Sequence, residues 1–129
     1  MARRVTILLP PSEGKAPDGT GDRWRRGTSA LDALDPARQK VLTAIGPRAP
    51  ERRRPTTEAA LRYTGVLYQE LDVATLSAAA RRRLDRSVLT ISGLWGAVAP
   101  TDPIPYYKLK MSANVAPLGK LSTWWRPRL

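Results

Sequence analysis

Two short, unbroken apolar runs constrain this chain more than any other feature. They are V-T-I-L-L, Val5 to Leu9, and V-L-T-I-S, Val88 to Ser92. Neither shows the strict alternation of a strand with one wet face. Continuous runs of this length are expected of strands covered on both faces. If the two pair in parallel, their C-terminal ends share one sheet edge, where open α/β sheets bind ligands. The loops that follow, Ser12–Lys15 and Gly93–Gly96, then become neighbours across one cleft; antiparallel pairing would set them at opposite ends. The expected class is α/β or α+β, a small mixed sheet of short buried strands flanked by helices. It forms one domain over residues 1–129.

The intervening sequence supplies the helices. In D-P-A-R-Q-K-V-L-T-A-I-G, Asp35 fits an N-cap, Pro36 the first helical position and Gly46 the position past the end, which predicts a helix over Pro36–Ile45. Thr56 or Thr57 is expected to cap a second helix that runs through E-A-A-L-R-Y-T-G-V-L-Y-Q-E-L. Gly65 inside it costs about 1 kcal/mol against Ala, and so marks close packing or a break. Thr75 is the expected cap of a third helix whose C-terminal Arg81, Arg82 and Arg83 suit the helix dipole. Beyond Ser92, G-L-W-G reads as a tight turn, A-P-T-D-P-I-P as extended chain and Tyr106–Met111 as a further strand. T-W-W-R-P-R-L reads as the first turn of a helix with an exposed Trp124–Trp125 pair. Residues 16–27 and 47–55, rich in Gly, Pro and Arg, read as loops.

Composition removes several chemistries. The chain has no cysteine and no histidine, which excludes disulfides, thiolate nucleophiles and histidine triads. A zinc site would need carboxylates alone, which zinc rarely accepts; no metal and no cofactor are expected. A formal net charge of +11 attracts polyanions such as nucleic acid or phosphorylated ligands. No apolar run approaches the ~18 residues of a membrane span, and Val5–Leu9 is too short for a signal-peptide core. The expectation is a cytoplasmic protein without membrane association.

P-P-S-E-G-K, Pro10 to Lys15, admits three readings: a phosphate-binding loop, a Ser-Lys catalytic pair or a polar turn. The Walker pattern is not met, because Leu9 stands where its first glycine belongs and Ala16 where its hydroxyl belongs. Without histidine, general acid–base work falls to Glu13, Asp102, Tyr106, Tyr107 or Lys108. Ser12, Lys15 and Tyr107 are the catalytic candidates. Ser12, Lys15, Ser92, Gly93, Gly96 and Lys108 are the candidates for holding a phosphate, with backbone N–H groups of the glycine turn as donors.

Three segments together resemble the YaaA family of bacterial peroxide-stress-response proteins. They are I-L-L-P-P-S-E-G-K, Y-T-G-V-L-Y-Q-E-L-D, and L-T-I-S-G-L-W-G-A-V-A-P-T-D-P-I-P-Y-Y-K-L-K-M with Trp125-Arg126 beyond it. The order and spacing of the three carry the match. The resemblance covers nearly all of this chain and about half of the family's length, so a truncated relative, a fragment or a non-functional remnant is expected. Trp95 replaces the family's Tyr, Lys108 its Arg, and Lys110 stands where many relatives carry an acid. The resemblance implies cytosolic protection against hydrogen peroxide and iron-dependent oxidative damage, with a basic cleft that binds double-stranded or distorted DNA. Lys15, Arg62, Lys108, Lys110 and Lys120 are the expected DNA contacts. The alternative is an enzyme acting on a small phosphorylated or nucleotide-like substrate through Ser12–Lys15.

Overall fold

The computed structural model describes residues 5–12, 14–46 and 53–129. Glu13 and most of the 47–55 loop lie outside the described residues. In chain order the elements are β1 (Ile7–Leu9), α1 (Asp35–Ile45), β2 (Thr56–Glu58), α2 (Ala59–Arg62), α3 (Val66–Leu71) and α4 (Ala78–Ser87). They continue with β3 (Val88–Ser92), β4 (Gly96–Val98), β5 (Pro103–Pro105), β6 (Asn114–Val115), β7 (Gly119–Lys120) and α5 (Leu121–Trp125). The mixture of helices with small sheets is an α/β arrangement.

The two apolar runs do pair in parallel, with Ile7 opposite Val88, Leu8 opposite Leu89 and Leu9 opposite Thr90. β4 then folds back antiparallel on β3, giving the order β1-β3-β4. The expected burial of β1 is not met. β1 is an edge strand, and Ile7 and Leu8 are 49% and 61% exposed. β3 alternates instead: Val88, Thr90 and Ser92 are buried, Leu89 and Ile91 half-buried.

Helix α1 forms where its punctuation places it. Gly46, at φ +121°, ends it with its amide on the Leu42 carbonyl. Asp35 does not cap; its carboxylate accepts from the Gly27 amide and the Arg38 guanidinium. Thr56 and Thr57 do not cap either. They lie in β2, antiparallel to β5, and the Thr56 hydroxyl donates to the Asp22 carbonyl. Pro103 and Pro105 are tolerated in that ladder because, among the described residues, β5 pairs with β2 alone.

The long helix expected after Thr57 is broken between α2 and α3. Gly65 lies so close to Ser12 that an added Cβ would sit 2.5 Å from the Ser12 hydroxyl, and its amide donates there instead. The cap of α4 is Ser77, which accepts from the Ala80 amide, not Thr75; Thr75 belongs to a preceding single turn and donates to Asp72. Of the arginine run, Arg81 pairs with Glu58 and Asp85.

Tyr106–Met111 forms no strand. Tyr107 is drawn into the core by its hydroxyl, and the Lys110–Met111 backbone is packed on Gly93. The following segment makes the β6–β7 hairpin rather than a plain loop. The Trp pair is not exposed as expected: Trp125 is fully buried and its indole N–H donates to the Gly93 carbonyl, while Trp124 stacks edge-on against it half-buried. The core gathers α1 (Val41, Leu42), the aromatic residues Tyr63, Trp95 and Tyr107, and Leu121 and Trp125 of α5.

Candidate functional site

The two strand-end loops converge. β1 runs through Pro10 and Pro11 into Ser12, which is buried although Pro10, Pro11 and Gly14 are exposed. The Ser12 hydroxyl donates to the Gly14 carbonyl at 2.8 Å and accepts from the Gly65 amide at 2.8 Å. Around it the loop is laid against the break between α2 and α3: the Thr64 amide donates to Gly14, and that of Ala16 to Arg62. Lys15 turns back so that its ammonium donates to the Ser12 carbonyl at 2.7 Å. It then stands 4.5 Å from the centroid of the Tyr107 ring and 5.9 Å from that of Tyr63. The ring faces attract the cation and hold it in place.

This geometry bears on the Ser-Lys reading. The lysine bonds the backbone carbonyl of Ser12, and the hydroxyl proton is directed to Gly14. A serine activated by lysine needs the opposite arrangement.

From the β3 side, Ser92 and Tyr107 complete the site. The Tyr107 hydroxyl lies 2.7 Å from both the Tyr63 hydroxyl and the Ser92 Oγ, and Ser92 also accepts from the Trp95 amide at 3.0 Å. Burial pushes the Tyr107 phenol up to about 12, and Tyr63 is raised well above its ordinary value by burial and by Tyr107 itself. Both phenols therefore stay protonated at neutral pH and act as hydrogen-bonding groups, not bases. Tyr63 did not emerge from the sequence as a site residue; the signal available was its place two residues before Gly65.

The phosphate reading of the glycine turn is corrected by the packing. Gly93 and Gly96 are buried, with Gly93 against the Lys110–Met111 backbone and Gly96, at φ +75°, against the Trp125 ring. Ser92 is fully buried as well. The three residues support the site from behind and offer no open cradle. Asp102 accepts from the Ala99 and Ala30 amides and fixes a turn.

Arg62 is corrected as a DNA contact. It is fully buried, and its guanidinium donates to the carbonyls of Ala16, Asp18, Pro55 and Ile104. Lys108, Lys110 and Lys120 are exposed. Ser12, Lys15, Tyr107, Lys110, Met111 and Ser112 line one cavity of about 200 Å³. Tyr106 lies outside this group, under the Arg54 guanidinium. Among the described residues no cluster of carboxylates could hold a metal ion, and no helix is long and apolar enough to cross a membrane.

The buried phenols make stability alkali-sensitive. A phenol whose pKa is raised on folding contributes stability that is complete below the unfolded value of about 10 and is lost as pH rises towards the folded value. Urea unfolding followed from pH 9 to 12, about the range spanned by these values, should show falling stability. Tyr107→Phe should flatten that fall while lowering stability at neutral pH, because it removes a hydroxyl that bridges Tyr63 and Ser92. An unchanged slope in the variant would remove Tyr107 as the cause.

Residues 5–129 match the family model described as "Peroxide stress protein YaaA". A UPF0246 protein of Streptomyces coelicolor is 40% identical across 95% of this chain and 56% of its own length. One from Corynebacterium efficiens is 34% identical across 81% of the chain and 50% of its own length, and one from Limosilactobacillus fermentum 29% across 98% and 48%. The chain thus spans about half the length of the curated relatives it matches. With the family model matched from β1 through α5, the chain belongs to the peroxide stress protein YaaA family.

Proposed function

We propose that this protein acts in the cytoplasm in the response to hydrogen peroxide, binding duplex or distorted DNA and limiting iron-dependent oxidative damage to it. One observation carries the DNA part of this reading. Lys108 and Lys110 are exposed on the segment that borders the Lys15 cavity, and the β6–β7 hairpin places exposed Lys120 opposite Asn114, just beyond it. Exposed ammonium groups on a chain of net charge +11 suit phosphate contacts that do not depend on base sequence.

Fluorescence anisotropy with a short labelled duplex tests it. Affinity should fall steeply between about 50 and 200 mM salt. Replacing Lys108, Lys110 and Lys120 together by Ala should weaken binding and reduce the salt slope by about one per lysine. Affinity that stays flat across that salt range sinks the DNA reading.

A second reading, an enzyme or binder for a small phosphorylated or nucleotide-like ligand, is favoured by the cavity itself. It sits beyond the C-terminal end of β1, a strand paired in parallel with β3, with Lys15, Ser12 and Ser112 in its wall. Lys15→Ala discriminates: loss of binding to a nucleotide panel with duplex binding intact assigns the cavity to a small molecule.

A further inference from the structure

β1 is apolar on both faces and fully covered on neither: Leu9 is half-buried against the core, but Ile7 on the same face and Leu8 on the other are exposed. Leu8 stands opposite Leu89 in the parallel ladder, so the two side chains project from one face of the sheet, and Ile91 shares that face two residues on. Leu8 is 61% exposed, and Leu89 and Ile91 are only half-buried. On the other face Ile7 is 49% exposed. Among the described residues no strand pairs with the outer edge of β1. Edge strands are ordinarily blunted by short length, charge, proline or a bulge; β1 is short, but V-T-I-L-L itself carries no charge and no proline.

The patch extends past the strand. The Tyr68 hydroxyl donates to the Pro10 carbonyl at 2.7 Å and the Gly65 amide to the Ser12 hydroxyl at 2.8 Å, which holds α3 beside the exit of β1. Val66 and Leu67 on α3 are 77% and 44% exposed. α3 lies on the Thr90 side of the sheet, which the Tyr68 hydroxyl reaches, so its exposed residues and Leu8 flank the β1 edge from opposite faces; exposed apolar groups gathered at one edge mark an interaction site. The Streptomyces coelicolor relative matches 95% of this chain with only 56% of its own length. Relatives of this family therefore carry about as much polypeptide again, for which this chain has no matched counterpart.

We propose that the outer edge of β1, with Leu8 on the sheet and Val66 on α3, is the docking surface for that other half of the family fold. The incoming polypeptide adds a strand beside β1 and lays an apolar face over Leu8 and Leu89. This is the covering on both faces that a continuous apolar strand sequence requires.

Co-expression of the tagged chain with the part of the Streptomyces coelicolor relative outside the match tests this. The two should co-purify as an equimolar complex, and amide exchange at residues 7–9 should slow. Leu8→Glu and Val66→Glu should each weaken the complex by about tenfold or more. Both positions are exposed, so neither change removes core packing. Arg82→Glu, on the exposed side of α4, should leave affinity within about twofold, as expected of a position outside the interface. Failure to co-purify while circular dichroism shows the chain folded overturns the proposal. So does a complex indifferent to both glutamate changes. Self-association that Leu8→Glu abolishes and the added half does not displace also overturns it, and assigns the face to a second copy of this chain.

Discussion

Arg62→Met should lower the unfolding free energy by about 4 kcal/mol or more, a large share of the ~5–15 kcal/mol that a domain of this size has in total. The reason is the number of groups that one side chain satisfies. Its guanidinium donates to Ala16 and Asp18 in the loop after β1, to Pro55 ahead of β2 and to Ile104 in β5, from a position with no solvent exposure. A methionine of similar length fills the volume but leaves those carbonyls short of donors. Each buried group left unmade costs about 1–3 kcal/mol. Arg62→Lys should recover little, because a compact ammonium cannot span four carbonyls that a planar fork reaches at once. Urea denaturation with both variants checks this. A lysine variant within about 1 kcal/mol of the parent, the scale of a single hydrogen bond, would show that charge and not the fork holds the segments together.

The same residue marks the limit of what the sequence discloses. Arg62 and the exposed arginines of α4 look alike in a composition, yet Arg62 was expected to contact DNA and the α4 run to complement the helix dipole. Only the tertiary packing distinguishes a fork buried among carbonyls from a solvated cation. Local signals fared better where the physics is local. Asp35-Pro36 and Gly46 bracket α1 because proline geometry and a positive-φ glycine act on the residue itself. The span of β3 follows from its continuous apolar run and the glycine turn that ends it.

Parallel pairing of β1 with β3, and with it the meeting of Lys15 and Tyr107, was legible from two apolar runs and sheet geometry. The β2–β5 ladder was not, because prolines weigh against strand assignment and because pairing partners are set at a distance. The glycine turn misled for a related reason. Glycine serves both a phosphate cradle and close packing, and here the Trp125 ring and the Lys110 backbone occupy the space. Tyr63 was missed since its role exists only through the Tyr107 hydroxyl 2.7 Å away, across 44 positions of sequence.

Trp125→Ala should destabilise the protein by about 3–5 kcal/mol, the range for removing a fully buried large aromatic side chain. Its expected effect also reaches the cavity. The ring lies against Gly96 so closely that a Cβ there would be 2.6 Å from it, and the indole N–H donates to the Gly93 carbonyl at 2.8 Å. Gly93 in turn supports the backbone of Lys110 and Met111, which line the cavity opposite Lys15. The indole therefore holds the wall of the site through the glycine turn.

Trp125→Phe separates the two effects. It keeps most of the apolar burial but loses the hydrogen bond and leaves the Gly93 carbonyl without that donor, a cost of about 1–3 kcal/mol. At a temperature where this variant is still folded, amide exchange over residues 108–112 should be faster than in the parent, while exchange in α1 should be unchanged. Equal acceleration in both regions would mean that Trp125 contributes to global stability alone, and that the cavity wall does not depend on its hydrogen bond to Gly93.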